Sequence, residues 1–232
     1  TMGVEVLPPD VNESQVAFAP ARGGTVVRFG LAAIKGVGEV AVESILKARH
    51  DGGKFSSLAE LCERVDGRTV NRKVLEALIK CGACDGFGET RATLSAQIDR
   101  TLSRAASLAH DRERGQSSLF GMLEESQSAM PESFGRLAEW PQHELLAAEK
   151  ELLGFYVTGH PMNAYAGLAE AIDTFPIEAL LLQGDRAEFR LCGIGSNLVK
   201  KLSKKDNRPW IAFTLATKQA SIALNLFADA YA

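Results

Sequence analysis

Residues 30–49, GLAAIKGVGEVAVESILKAR, decide the fold of this 232-residue chain. An apolar approach with Leu31 and Ile34 leads into a glycine turn, Gly36-Val37-Gly38, and the residues after it have helical periodicity. Glycine has no Cβ and accepts a positive φ at little cost, so such a turn lets the backbone approach another molecule closely. Val37, between the two glycines, is expected to point inward and fix the turn. The pattern predicts the hairpin of a helix-hairpin-helix module.

Four amides at this turn, those of Gly36, Val37, Gly38 and Glu39, are predicted to lie at the start of the following helix. The first amides of a helix have no intrahelical partner, and the helix dipole is positive there, so an anion such as a phosphate is favoured. A hairpin of this kind would hold a nucleic-acid backbone without recognising its bases, and Lys35 beside it could support a phosphate. The alternative, a turn that only packs two helices together, stays open at this point.

Further helices follow in quick succession. The first is predicted over residues 39–49. Ser56 or Ser57 is the candidate N-cap of the second helix and Asn71 that of the third, with Glu60 placed to form a capping box with Ser57. A long helix is predicted over residues 89–110, and it is preceded by a second glycine–apolar–glycine turn, Gly86-Phe87-Gly88. Two such modules sharing one core are therefore expected within residues 30–110.

Bulk composition excludes several classes of protein. A net charge of −3 and a pI near 5.9 exclude a basic coat, so any DNA contact must be local. No apolar run approaches the roughly 18 residues of a membrane helix, and the first residues lack a signal-peptide pattern. Cys81 and Cys84 form a lone CxxC without a second pair, so we predict half-buried thiols near a helix end and no metal site.

The chain changes character at residues 111–143, where Ser, Glu and Pro dominate. Such a segment buries little apolar surface, and we predict an acidic linker. Leu119 and Phe120 are adjacent apolar residues within it, and Gln116 lies three residues before Leu119. An apolar pair in a polar linker is typical of an anchor that docks into a pocket of a partner.

The C-terminal part has two further predicted regions. Residues 144–183 are expected to form connecting helices, with His160 in a structural role. Within residues 184–232, apolar residues alternate with period two and predict three antiparallel strands. A basic turn lies between the first two strands, and the arrangement resembles the first half of an OB barrel; its cations are Lys200, Lys201, Lys204, Lys205 and Arg208.

Four ordered stretches carry a family resemblance: FGLAAIKGVGEVAVESI, VNRKVLEALIKCGACDGFGETR, LLGFYVTGHPMNAY and LCGIGSNLVKKLSKKDNRPWIAFTL. Across nearly its whole length the chain resembles the bacterial replicative DNA polymerase III alpha subunits. The resemblance implies a mainly α fold: a lead-in β-hairpin (1–29), a tandem helix-hairpin-helix domain (30–110), the linker (111–143), connecting helices (144–183) and a truncated OB-like region with three antiparallel strands (184–232).

The resemblance also implies roles for residues. The hairpin Gly36-Val37-Gly38 matches the family's duplex-backbone hairpin, and Gly86-Phe87-Gly88 is a poorer second match. Lys35 stands where many such hairpins have proline, and Val42 where they often have alanine. Gln116, Leu119 and Phe120 match a sliding-clamp-binding pentapeptide, and the basic turn lies where OB domains meet single-stranded DNA.

The implied partners are duplex DNA, single-stranded template, the sliding clamp and other replisome subunits, in the cytoplasm at the nucleoid. The parent protein would be a DNA-directed DNA polymerase that uses a divalent metal, expected to be magnesium. No paired carboxylates for metal-dependent phosphoryl transfer are recognisable here, so we predict no catalytic residue, metal site or cofactor in this segment. Two alternatives are a helix-hairpin-helix and OB part of a repair enzyme or nuclease, and a scaffold whose hairpins contact only protein.

Overall fold

The computed structural model describes residues 5–113, 135–172, 174–183, 188–204 and 207–227. The chain divides into two compact units, Thr1–Thr158 and Gly159–Ala232. The first is mainly helical and the second contains a three-stranded antiparallel sheet, so the predicted fold class is confirmed at this level. Among the described residues, no helix has the length and apolar character needed to cross a membrane.

The first unit opens with a small three-stranded sheet. Strand β3 (Val26–Arg28) pairs parallel with β1 (Val6–Leu7) and antiparallel with β2 (Ala19–Ala21). The turn between β2 and β3 contains Gly23 and Gly24 in the left-handed region, at φ 70° and 88°. Where the sheet ends, Gly30 lies so close to the backbone of Ala17 that a Cβ would collide with it.

Five α-helices lie within the described residues of this unit. They are α1 (Glu39–Gly52), α2 (Leu58–Arg64), α3 (Arg72–Lys80), α4 (Arg91–Glu113) and α5 (Gln142–Leu153). Side chains cap α2 and α3 as predicted: the amide of Glu60 donates to Ser57 Oγ at 3.2 Å, and that of Lys73 donates to Asn71 Oδ1 at 3.0 Å. The reciprocal half of the capping box differs, because the Glu60 carboxylate accepts from the amide and hydroxyl of Ser56 instead of from Ser57.

One apolar core joins the helices of the first unit. Val37, Ile45, Leu78 and Leu94 are all at most 5% exposed, and they come from the first glycine turn, α1, α3 and α4 respectively. Leu153, at the end of α5, packs into the same core. The segment predicted as connecting helices, residues 144–183, is therefore divided between the two units, and its first helix belongs with the hairpins.

The second unit contains a short helix, α6 (Ala166–Ala171), and strands β4 (Ile194–Leu202), β5 (Pro209–Ala216) and β6 (Ser221–Leu226). The sheet order is β4-β5-β6 with antiparallel neighbours, as predicted. A bulge between Ser196 and Val199 bends β4. His160 has a structural contact, because its Nδ1 accepts a hydrogen bond from the amide of Met162. A three-stranded meander does not establish an OB barrel, which stays a prediction.

Candidate nucleic-acid interface

The first glycine turn has the geometry that its sequence predicts. Gly36 is exposed at φ 88°, a conformation that favours glycine. Val37 points inward and is 5% exposed, so it anchors the turn in the core. Gly38 is exposed and is the N-cap of α1 at φ −78° and ψ 153°, which any residue can adopt. A Cβ at Gly38 would meet no atom within 4 Å, so the fold itself does not require glycine there.

The amides at this turn are mostly available. Among the described residues, no protein acceptor takes a hydrogen bond from the amides of Gly36, Gly38, Glu39 or Val40, and no side chain caps α1. The prediction that the Val37 amide is available to an anion was wrong, because this amide donates to the Ile34 carbonyl at 3.1 Å and closes the turn. The donor set therefore runs one residue further into the helix than the sequence suggested. Exposed, uncapped amides at the start of a 14-residue helix form an anion-binding geometry.

Helix α5 braces this hairpin from behind. The amide of Lys35 donates to the Leu152 carbonyl at 2.9 Å, and Lys35 Nζ lies 3.6 Å from the Glu151 carboxylate. Phe155, just after α5, packs against Phe29 with ring centroids 5.6 Å apart. Sequence reasoning missed this brace, since it joins residues more than 100 positions apart. These contacts hold the turn in its conformation without a bound ligand.

Charge around the first hairpin is mixed. Lys35 is exposed, but Glu39 lies in the first turn of α1 and Glu151 pairs with Lys35. Exposed ion pairs of this kind contribute little and are screened by salt. Arg49, on the same helix, faces the lead-in segment instead, where its guanidinium donates to the carbonyls of Val11 and Ser14. This turn therefore presents main-chain hydrogen-bond donors, more than a basic surface, to an anion such as a phosphate.

The second glycine turn has a different donor arrangement. Residues Asp85–Phe87 form a short 3-10 turn that ends at Gly88, at φ 78°. The amides of Asp85, Phe87 and Gly88 donate to the carbonyls of Gly82, Cys84 and Asp85, each at 3.1 Å. Of the amides of Gly86, Phe87 and Gly88, those of Phe87 and Gly88 are therefore occupied within the turn, which offers fewer donors than the first glycine turn.

The start of α4 is closed by a carboxylate from elsewhere in the chain. Glu139 Oε2 accepts from the amide of Arg91 at 2.8 Å, and Glu139 Oε1 accepts from the amide of Ala92 at 3.2 Å. The amide of Thr93 donates to Thr90 Oγ1. The first three amides of α4 therefore already have acceptors, whereas among the described residues those of Glu39 and Val40 at the start of α1 have none.

Arg91 is the centre of a buried ionic network under the second turn. Its side chain is 4% exposed and its guanidinium binds Asp85 through two hydrogen bonds of 3.0 and 2.8 Å. Two further hydrogen bonds of 3.2 Å reach Oε1 of Glu149, which is fully buried. Gly82 must be glycine here, because its φ is 87° and a Cβ would collide with the Arg91 guanidinium. These contacts occupy the donors of the Arg91 guanidinium, so they are not presented to a phosphate.

In the second unit, the predicted basic turn lies between β4 and β5. Lys200, Lys201, Lys204 and Arg208 fall within the described residues, whereas Lys205 lies outside them. Lys201 Nζ lies 5.0 Å from the ring centroid of Trp210, and the ring of Phe227, the residue just after β6, lies 6.0 Å from that of Trp210. The register pairs Lys201 with Trp210, and the ring contact adds Phe227, so the three side chains lie in a row at this end of the sheet. Sequence reasoning listed the cations but missed the aromatic row.

The cysteines behave as small apolar side chains. Cys62, Cys81 and Cys84 are buried without disulfides, and burial raises the pKa of Cys62 and of Cys81 to about 12. Their thiols are therefore protonated at neutral pH. Within the described ranges, no three His, Cys, Asp or Glu side chains converge as a candidate metal site. Gln116, Leu119 and Phe120 lie outside the described residues.

Comparisons with known proteins bear on this geometry. A family model described as a helix-hairpin-helix motif matches residues 3–94, which include both glycine turns. DNA polymerase III subunit alpha of Vibrio cholerae is 42% identical over 71% of this chain, and that of Escherichia coli strain K12 is also 42% identical over 71%. The Deinococcus radiodurans subunit is 39% identical over 99% of this chain. The chain spans only 14% to 18% of the length of these three relatives.

Proposed function

Because the chain is homologous to a segment of the DNA polymerase III alpha subunit, we propose that it holds the polymerase to duplex DNA through the backbone of the strands. The observation that carries this proposal is the set of free amides at the first hairpin, Gly36 and Gly38 to Val40. Phosphate oxygens would accept from these amides close to the exposed glycines. Contacts of this kind position a protein on DNA without specifying sequence.

The proposal is tested by titrating the whole chain with two duplexes of unrelated sequence at several salt concentrations. We expect weak binding, with a Kd of roughly 10⁻⁴ to 10⁻⁶ M, because few phosphates are contacted. Affinity should be equal for both duplexes and should fall by roughly 0.9 log units per log unit of salt for each neutralised phosphate. No binding at low salt would favour the protein-contact scaffold, and a preference for one sequence would contradict backbone recognition.

A second part of the proposal concerns the sliding clamp. Gln116, Leu119 and Phe120 would dock into an apolar pocket of the clamp, with the glutamine amide hydrogen-bonded and the two apolar side chains buried. The support is the sequence pattern and its place in the acidic linker, between α4 and α5 along the chain. Processivity would then combine a duplex contact and a clamp contact on one segment.

Phe120→Ala is expected to weaken clamp binding about tenfold, because a buried aromatic anchor contributes about 1.4 kcal/mol or more at such interfaces. Duplex affinity should be unchanged, since the first hairpin is intact. Clamp affinity is measured with the clamp immobilised on a surface and the variant chain in solution, and duplex affinity is measured by the duplex titration. Phe134→Ala, which removes an equivalent ring from the same linker, is the matched control. Unaltered clamp binding in the Phe120 variant would refute the assignment of the pentapeptide.

The second unit would guide single-stranded template along its basic turn. Lys201, Trp210 and Phe227 form a row in which a cation lies beside two aromatic rings, and bases stack on such rings without sequence preference. The cations Lys200, Lys204 and Arg208 flank this row, with Lys205 assigned from the sequence alone. We propose this role whether or not the sheet closes into an OB barrel.

Nucleotide transfer would belong to another part of the full-length subunit, which would also hold the divalent metal, expected to be magnesium. This segment would contribute binding within a cytoplasmic, nucleoid-associated replisome and would contact other replisome subunits. A nuclease or repair role is the alternative, and it makes a distinct prediction. Metal-dependent nicking of DNA by this chain alone would favour that alternative.

A further inference from the structure

Residues 135–140, here called the strap, lie along the start of α4. The amide of Leu137 donates to Thr93 Oγ1 at 3.0 Å, and Thr90 Oγ1 donates to the Leu137 carbonyl at 3.0 Å. Two residues later, both oxygens of the Glu139 carboxylate accept from the amides of Arg91 and Ala92. The strap is thus fixed to the first turn of α4 at two points.

The Glu139 carboxylate takes the place that a phosphate takes at a hairpin–helix junction. Two oxygens of one anion on successive helix N-terminal amides are the arrangement by which helix starts bind phosphate. Burial alone would raise the pKa of Glu139, but hydrogen bonds from the amides of Arg91, Trp140 and Ala92 lower it, so the group is ionised at neutral pH. Glu139 is itself exposed and Ala92 is half-buried, whereas Arg91 is buried, so a competing anion would reach these amides only by displacing the carboxylate.

We propose that the strap is an autoinhibitory contact: Glu139 closes the second hairpin to DNA, and a duplex phosphate competes with it for the amides of Arg91 and Ala92. This inference rests on the proposed duplex binding and adds its regulation. On release of the carboxylate, Thr90 Oγ1 would still accept from the amide of Thr93 and cap the start of α4. Two other carboxylates lie near the turn, Asp85 and the exposed Glu89, and their charge would limit the gain in duplex affinity when Glu139 is released. The charge of Asp85 is compensated by its ion pair with Arg91.

The test compares duplex affinity and salt dependence for the whole chain, Glu139→Gln and Glu144→Gln. Glutamine cannot place two anionic oxygens on the amides, so Glu139→Gln is expected to raise duplex affinity about three- to tenfold. The salt slope should steepen by about 0.9, one extra phosphate. Glu144 is exposed in the first turn of α5, so Glu144→Gln removes the same charge nearby without touching α4 and should change affinity less than about twofold.

Amide resonances give a second readout. In Glu139→Gln, addition of duplex DNA should shift the amide signals of Arg91 and Ala92. In the wild-type chain, the same signals should not move while only a small fraction of the chain is bound to DNA. Equal affinity of the wild type and Glu139→Gln, with wild-type binding still lost in Gly38→Asp, would overturn the autoinhibitory strap and leave the first hairpin's role intact. If Gly38→Asp binds duplex as well as the wild type, the first hairpin is not the duplex contact and the proposed function has failed at that site.

Discussion

Gly38→Asp is expected to weaken duplex binding about 30- to 150-fold, or about 2 to 3 kcal/mol, and to leave the melting temperature unchanged or slightly raised. The new carboxylate causes both effects: it weakens DNA binding and stabilises helix α1. A carboxylate at the N-cap accepts from the free amide of Val40 and favours the positive end of α1, which stabilises the helix. The same carboxylate occupies the phosphate position and repels the DNA backbone.

The matched control is Gly67→Asp. Gly67 is also exposed, has no positive φ and has open space where a Cβ would be, so the substitution adds the same charge without strain. It should change duplex affinity less than about twofold. Fluorescence anisotropy of labelled duplex measures affinity, and circular dichroism follows melting. Equal losses in both variants would indicate a general charge effect, and no loss in Gly38→Asp would remove the first hairpin from the interface.

Gly36 is a weaker probe of the same turn. At φ 88°, any side chain would strain the backbone, which costs roughly 1 to 2 kcal/mol, so lost binding would be confounded with lost stability. Gly38 separates the two because its conformation suits any residue. A glycine that the free fold does not require, at a position where a ligand would approach, is itself consistent with a binding role.

The first hairpin could be predicted because its determinants are local. Gly36, Val37 and the helical pattern after Gly38 lie within a few residues, and the caps at Ser57 and Asn71 bond amides two or three residues away. Local signals of this kind specify turn and helix ends wherever the rest of the fold agrees with them. The three strands were predictable for the same reason, through their period of two.

The second hairpin could not be distinguished by the same signals. Gly86-Phe87-Gly88 resembles the first turn in sequence, but Glu139, 48 residues from Arg91, occupies the amides of α4. Residues 135–140 have no periodic pattern that would place them there. The difference between an open and a closed helix start depends on a long-range contact, and one sequence without an alignment does not reveal it.

One missed residue did leave a signal. Leu146, Glu149 and Leu153 follow the i, i+3, i+7 spacing of one helix face, and both leucines are buried. A carboxylate on such a face requires a buried cationic or amide partner, so it indicates a long-range ion pair. Arg91 is that partner, and it lies on the helix whose start the strap covers.

Glu149→Ala is therefore expected to destabilise the first unit by about 3 to 5 kcal/mol. The change removes the acceptor of the Thr158 hydroxyl at 2.8 Å and of the amides of Val157 and Thr158 at 3.0 Å. It also leaves the guanidinium of Arg91, 4% exposed, with Asp85 as its remaining carboxylate. Urea unfolding followed by Trp140 fluorescence, in a Trp210→Phe background, reports the first unit alone, since the chain has two tryptophans.

Two comparisons make this prediction specific to the network. Glu144→Ala, at an exposed position of the same helix, should stay within about 0.5 kcal/mol of the wild type. In the double variant Arg91→Met with Glu149→Leu, apolar side chains replace both charges, so the combined loss should be smaller than the sum of the single losses by at least about 1 kcal/mol. Additive losses would mean that the two side chains act independently. Coupling instead would show that one buried pair holds the start of α4 to the chain after α5, the part of the fold on which the position of the strap depends.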